Sequence, residues 1–160
     1  VKAPVFVARQ LVKHKFMPWN EVSRRYVKDE PEFYFPETWR KAAENVKQGS
    51  SNESISEGDS FYNPHERIKN GLNNLVKESI KLYNEILEEG GCAEQARVVL
   101  PQNMMTTWVW SGTLGAFCDM LKLRLDPHTQ YETRLVAQEV AKIVEGLFPV
   151  SYKALVGDVK

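Results

Sequence analysis

The stretch Lys13-His14-Lys15-Phe16-Met17-Pro18-Trp19-Asn20-Glu21-Val22-Ser23-Arg24-Arg25-Tyr26 gathers four cations, one carboxylate, one imidazole, one serine hydroxyl and one phenol into fourteen residues. No helical or strand period runs from Phe16 to Asp29, and Pro18 blocks continuation of any helix arriving from upstream. The segment therefore reads as a loop, and loops anchored to rigid elements are where ligand contacts concentrate. A glutamate among so many cations stays ionised and can accept hydrogen bonds from a ribose or a ring N–H. Arginines add forked, charge-assisted bonds to phosphate, each worth about 1.5–3 kcal/mol when well made. On charge pattern alone, a solvated basic loop explains the same residues.

Upstream, Pro4 suits the first turn of a helix running to about Lys13, where its missing N–H costs nothing. From Val1 to Lys28 the cations Lys2, Arg9, Lys13, Lys15, Arg24, Arg25 and Lys28 face a single opposing Glu21, an excess that suits a small anionic ligand. The chain opens at Val1, already inside an apolar stretch, so a preceding strand or helix is expected.

Downstream, Phe33–Phe35 predicts a short strand ending at Pro36. Residues Glu37 to Gln48 form a weak helix candidate, and Gly49 to Ser60, almost without apolar residues, reads as a loop. Asn63, Pro64 and Glu66 predict a capped helix start, followed by an apolar stripe of Ile68, Leu72, Leu75, Val76, Ile80, Tyr83, Ile86 and Leu87. Gly90 and Gly91 stop it. Ala93 to Leu100 predicts a short helix closed by Pro101, Thr106 to Ser111 a strand, and Leu114 to Leu123 another helix. Asp126 and Pro127 are expected to start a last long helix with Leu135, Val140, Ile143, Val144 and Leu147 facing inward. The balance is one domain over residues 1–160, of class α/β or α+β.

The 160 residues can bury a real core, and the hydrophobic (42%) and charged (26%) fractions are those of a soluble globular protein. No apolar run approaches a bilayer span and no signal-peptide pattern opens the chain, so a cytoplasmic location and no membrane partner are expected. Lysine plus arginine equals aspartate plus glutamate at 21 each, which gives no global pull toward nucleic acid. Cys92 and Cys118 have no metal-type spacing and no disulfide framework; two buried, reduced thiols and no metal site are expected.

The opening stretch resembles the signature of flavin-dependent thymidylate synthases, R-H-R-x-x-S-x-N-E-x-S-x-R-Y, at unbroken spacing. His14, Asn20, Glu21, Ser23, Arg25 and Tyr26 match; Lys13 and Lys15 stand where the family has arginines, and Pro18 replaces the first serine. The resemblance continues through V-K-A-P-V-F-V-A-R-Q at Val1–Gln10, Glu32–Pro36 followed by Lys47-Gln48-Gly49-Ser50, A-R-x-x-L-P at Ala96–Pro101, and L-R-x-x-x-H-x-Q at Leu123–Gln130. It implies an α/β fold with an antiparallel sheet flanked by helices, a homotetramer, and active sites built from several subunits. It also implies FAD- and NADPH-dependent methylation of dUMP to dTMP, with methylenetetrahydrofolate as the carbon donor and no cysteine nucleophile.

The same resemblance implies roles. Arg124 is the catalytic candidate, its charge stabilising the uracil N3/O4 edge so that C5 becomes nucleophilic; the bland alternative is a helix-end salt bridge to Asp126. Arg25 and Arg97 are implied phosphate ligands of dUMP, assisted by Ser23 and Arg24, while Gln10, Lys13 and Glu21 complete its contacts. Arg97 sits in an apolar, buried-looking helix, where a cation would need a partner. Lys13, His14, Lys15, Glu21 and Asp119 are the implied FAD contacts, with Thr113 and Gly115 departing from the commoner family residues. Lysine keeps the charge but loses the planar fork. Ser23 has no His–Asp arrangement to activate it as a nucleophile. His128 is either locally satisfied or a ligand, His65 reads as part of a helix cap, and Trp19, Trp108 and Trp110 read as core or interface aromatics. Two rival readings stand beside the enzyme: a catalytically impaired nucleotide- or flavin-binding remnant lacking the upstream flavin segment, and a basic-loop interaction module.

Overall fold

Met105–Trp110 is the strand that organises the molecule. Its alternation buries Thr106 and Trp108 and exposes Thr107 and Val109, the two-residue period of a strand with one face on a core. The computed structural model describes residues 1–25, 29–44, 49–55 and 63–157. In chain order it runs β1 (Lys2–Pro4), α1 (Val5–Leu11), β2 (Trp19–Glu21), β3 (Arg40–Ala42), β4 (Ser50–Ser54), α2 (Pro64–Glu88), α3 (Ala93–Ala96), β5 (Met105–Trp110), α4 (Leu114–Arg124), α5 (Tyr131–Leu147) and α6 (Pro149–Leu155). A 3-10 turn at Arg97–Val99 follows α3.

Strand β5 lies between β1 and β2, antiparallel to both, with Lys2 opposite Thr107 and Trp19 opposite Trp110. β3 and β4 pair separately as an antiparallel hairpin. Trp108, at the centre of β5, stacks on Trp19 at 4.3 Å between ring centroids. Against this sheet pack Val7 and Leu11 of α1, Met120 and Leu121 of α4, Ala137, Ala141 and Val144 of α5, and Tyr152 of α6. Trp108 is thus a core residue, with Trp19 and Trp110 packed partly buried against the same core. Among the described residues no helix is long and apolar enough to cross a membrane.

Several expectations are corrected. Pro4 ends β1 in an extended conformation, and α1 begins one residue later and stops at Leu11 rather than Lys13. β2 lies inside the segment read as loop. Phe33–Phe35 contributes a single bridge, Phe33 to Met104, rather than a strand. The weak helix over 37–48 is instead β3, and Ser50–Ser54 of the supposed loop is its partner; residues 45–48 and 56–60 lie outside the described residues. Ala93–Leu100 divides into α3 and the 3-10 turn. The last long helix starts at Tyr131, and its buried side is Thr133, Ala137, Ala141 and Val144, while Leu135, Ile143 and Leu147 face outward. Cys118 is buried as expected, but Cys92 is exposed.

The capped start of α2 is as the sequence implies: the Asn63 side chain accepts from the Glu66 backbone N–H at 3.1 Å, with Pro64 opening the helix. Asn63→Ala is expected to cost about 1 kcal/mol, a typical cap loss. A lowered thermal midpoint checks this, with Asn63→Asp holding the wild-type value.

Candidate functional site

Two clefts hold most of the candidate dUMP residues. The first, about 1330 Å³, opens between the β3–β4 hairpin, the end of α4 and the start of α5, and both Gln10 and Arg124 line it. Arg124 is the last residue of α4 and Gln10 lies in the last turn of α1, so two rigid helices aim them. The half-buried Arg124 donates from Nε to His14 Nε2 at 2.9 Å and from Nη2 to the Gln10 carbonyl at 3.2 Å. An imidazole that accepts at Nε2 carries its proton on Nδ1 and is neutral. Burial first, and then the Arg124 charge, hold His14 below its ordinary pKa. Burial also lowers Arg124, whose guanidinium nevertheless stays charged at any working pH.

The Gln10 side chain is fixed as well. Its Oε1 accepts from Thr133 Oγ1 at 3.2 Å, its Nε2 bonds the Gln130 side chain, and Gln130 Nε2 donates to Glu132 Oε2 at 3.1 Å. Asp126 is engaged elsewhere: its Oδ1 accepts from the His128 N–H at 2.7 Å and bonds His128 Nδ1 at 2.9 Å. The helix-end alternative for Arg124 therefore does not form, and His128 is satisfied locally while still lining the cleft.

Holding His14 neutral has a pH consequence. Its folded pKa is depressed, so the unfolded chain binds the proton first as pH falls below about 6.5. The stabilisation tied to neutral His14 is fully present above that value and lost as pH drops through the folded pKa. Denaturation midpoints are expected to fall over this window in the wild type and less in His14→Gln. An imidazole C–H titration seen by NMR should give a midpoint below that of a free histidine.

The second cleft, about 1110 Å³, is lined by Glu21, Ser23, Arg24, Arg25 and Arg97. Glu21 is fixed at both oxygens, accepting from Thr106 Oγ1 at 2.6 Å and from Trp19 Nε1 at 3.1 Å. Ser23 Oγ accepts from the Arg25 N–H at 3.3 Å and from Arg25 Nε at 3.1 Å, so it shapes the turn that presents Arg25. Arg24 Nη1 bonds the Asp29 carbonyl. Arg97 is exposed, not buried: it sits on the 3-10 turn, donating from Nε to the Glu94 carbonyl at 3.2 Å, and needs no buried counter-charge. Pro101 and Gln102 border both clefts and divide them. Apart from Lys13, the candidate dUMP residues of one chain thus fall into two sets.

Lys13 and Lys15 are exposed on the loop after α1 and line neither cleft. The loop runs beside the start of α4: a Cβ on Gly112 would meet the Phe16 carbonyl at 3.5 Å. Phe16 itself adopts φ 60, a left-handed conformation that bulky residues rarely take. Thr113 caps α4 by accepting from the Ala116 N–H at 3.2 Å, and Gly115 lies in its first turn. Asp119 is exposed and pairs with Lys122 at 3.4 Å. Tyr26 lies outside the described residues. His65 is in the first turn of α2, away from both clefts. Among the described residues no three His, Cys, Asp or Glu side chains are grouped to hold a metal.

Sequence reasoning missed Tyr34, Arg40 and Tyr131, which line the first cleft. Burial, then Glu132, Tyr131 and Glu37, push the Tyr34 hydroxyl up to about 12, so it remains a donor at neutral pH. No local pattern marks these three, because they converge only when the hairpin meets α5. Gln130 belonged to a quoted motif but carried no assigned role; its bond to Gln10 supplies one.

The model of the thymidylate synthase complementing protein family matches residues 1–150. Flavin-dependent thymidylate synthase from Aquifex aeolicus is 43% identical over 145 residues, covering 90% of this chain and 44% of that protein. The enzyme of the same name from Thermus thermophilus is 38% identical over 154 residues, covering 96% and 54%. The chain spans about half the length of these curated relatives. A UMP/dUMP methylase from Streptomyces cacaoi, bound with 5-Br UMP, superposes with a TM-score of 0.83 at 24% identity, covering 97% of this chain and 71% of that one, a likeness of fold. With the folded framework and a family match over nearly every residue in agreement, the chain belongs to the thymidylate synthase complementing protein family.

Proposed function

We propose that the chain forms the nucleotide-activating part of a flavin-dependent thymidylate synthase, methylating dUMP to dTMP with methylenetetrahydrofolate as carbon donor. The observation that carries this reading is the fixed, half-buried Arg124 guanidinium, held by His14 and Gln10 at the wall of a large cleft. A preorganised cation beside the uracil N3/O4 edge stabilises the negative charge on that edge that makes C5 nucleophilic toward the one-carbon unit, and it costs no reorganisation during the reaction. Gln10, oriented by Thr133 and Gln130, offers amide groups to the same edge. No thiol serves C6: Cys118 is packed in the core with its pKa pushed up by burial, and Cys92 lines neither cleft.

The dUMP phosphate is assigned to Arg25 and Arg97 with Ser23 and Arg24, and its ribose to Glu21. Because these line the second cleft, a complete site draws one cleft from each of two subunits of a cytoplasmic homotetramer. Exposed apolar residues beside each arginine, Val98 next to Arg97 and Leu123 next to Arg124, support closure by another copy. Sedimentation should then give a mass of several chains.

Of the five implied flavin contacts, Lys13 and Lys15 support a flavin, while His14 is bonded to Arg124, Glu21 to Thr106 and Trp19, and Asp119 to Lys122. Lys13 and Lys15 are two exposed cations on a loop beside the first turn of α4, and a helix N-terminus with added lysines suits a pyrophosphate. The hydride that reduces the transferred carbon is the chemistry bound FAD supplies, with NADPH restoring it. The test is dTMP formation from dUMP, methylenetetrahydrofolate, NADPH and FAD, followed chromatographically. Product is expected; flavin and dUMP binding without product would leave a binding protein, and steep salt-dependent oligonucleotide binding with no dUMP binding would contradict the reading.

A further inference from the structure

The outer half of the first cleft contains a cation that the dUMP assignment does not use. Arg40, on β3, reaches across the hairpin, donating from Nε to Ser50 Oγ at 2.7 Å and from Nη2 to Asn52 Oδ1 at 2.8 Å. Its guanidinium carbon lies 4.7 Å from the centroid of the Tyr131 ring at the start of α5. Both anchors on the hairpin are neutral, and no carboxylate pairs with Arg40 among the described residues. The acids of the same cleft are occupied, Asp126 by His128 and Glu132 by Gln130. A half-buried guanidinium, steered by neutral groups and laid on a ring, keeps its full charge and free N–H edges for an incoming anion.

The hairpin that carries Arg40 is seated closely. Gly49, at φ +95, places its backbone so near the turn before α5 that an added Cβ would meet the His128 carbonyl at 2.8 Å. This contact seats the hairpin against the turn before α5, and Tyr34 lines the same cleft as Arg40.

We propose that this outer half, distinct from the Arg124–Gln10 wall, binds the anionic group of an aromatic co-substrate, with Arg40 as the anion contact and Tyr131 holding the guanidinium in place. The shared chemistry is a carboxylate or phosphate tethered to a planar ring, as a folate or a nicotinamide dinucleotide carries. The proposal rests on the thymidylate synthase reading for the choice of probes.

The test is calorimetric titration of the chain with dUMP, folic acid and NADP in turn, for the wild type, Arg40→Met, Arg40→Lys and the double variant Ser50→Ala with Asn52→Ala. Arg40→Met should weaken folic acid or NADP about tenfold or more, the loss of a charge-assisted bond, and leave dUMP unchanged. Whichever probe loses affinity identifies the source of the anion. Arg40→Lys should recover part of the affinity, and the double variant, which keeps the guanidinium, should retain most of it. Unchanged binding of both probes by Arg40→Met overturns the assignment, as does a double variant that loses as much as Arg40→Met, since that marks a role in hairpin folding. A wild type that forms dTMP in the assay above but binds neither probe overturns the Arg40 site alone; one that binds none of the three and forms no dTMP overturns both.

Discussion

Arg124→Gln is expected to lower the rate of dTMP formation by about 10²–10³-fold, the loss seen when one preorganised donor is removed from a developing charge. The fall should appear in kcat, because the interaction strengthens as charge builds on the pyrimidine. Gln keeps an amide near the position of Nε, though it is too short to replace Nη2, and the fold survives because Arg124 is half-buried, with its partners His14 and the Gln10 carbonyl at the cleft wall. Thermal melting should stay close to wild type. Arg124→Lys keeps the charge but loses Nε, hence the bond that aims the group from His14, and should fall between the two. Arg97→Ala should behave differently, raising KM for dUMP with a smaller effect on kcat, since a phosphate contact is equally strong in ground and transition states. Steady-state kinetics on the four proteins checks the split.

Trp108→Ala is expected to cost about 3–5 kcal/mol, the usual range for emptying a large aromatic site. Trp108 is 1% exposed, lies on the central strand, stacks on Trp19 and meets Trp110 edge-on at 6.4 Å between centroids. Its indole N–H has no hydrogen-bond partner among the described residues, so the loss is one of packing. Against a total stability of about 5–15 kcal/mol, such a change removes a large share of what holds the domain together. Urea denaturation should show a much lower midpoint with a similar slope. Trp108→Phe, which keeps a ring against Trp19, should recover much of the difference.

What the sequence makes legible follows from where the signals are local. The α2 start is written in Asn63, Pro64 and Glu66, and β5 in the alternation of Thr106 to Trp110, so both can be read without neighbours. The β3–β4 hairpin cannot. Residues 37–44 have no two-residue period, and the register is set by Arg40 reaching ten and twelve positions away to Ser50 and Asn52. The face of α5 misleads for a related reason. Large residues such as Leu135, Ile143 and Leu147 suggest the stripe, yet close approach to α1 and α4 is made by Thr133, Ala137, Ala141 and Val144 at steps of four, four and three. Around Arg97 the apolar neighbours suggest burial, whereas the 3-10 turn leaves Val98 82% exposed beside it. The family resemblance as a whole names residues of both clefts, but nothing along one chain shows that Gln10 and Arg124 separate from Arg25 and Arg97. That division exists only after Pro101 and Gln102 have folded between them.

The central claim is that dUMP is held by the Arg124 cleft of one subunit and the Arg97 cleft of another. Mixing Arg124→Ala with Arg97→Ala under conditions that exchange subunits, at dUMP low enough that neither variant turns over alone, tests it most directly. Random pairing should restore about a quarter of wild-type activity, the share of sites that draw both clefts intact. If the exchanged mixture stays as inactive as its two components, the two-subunit site is wrong.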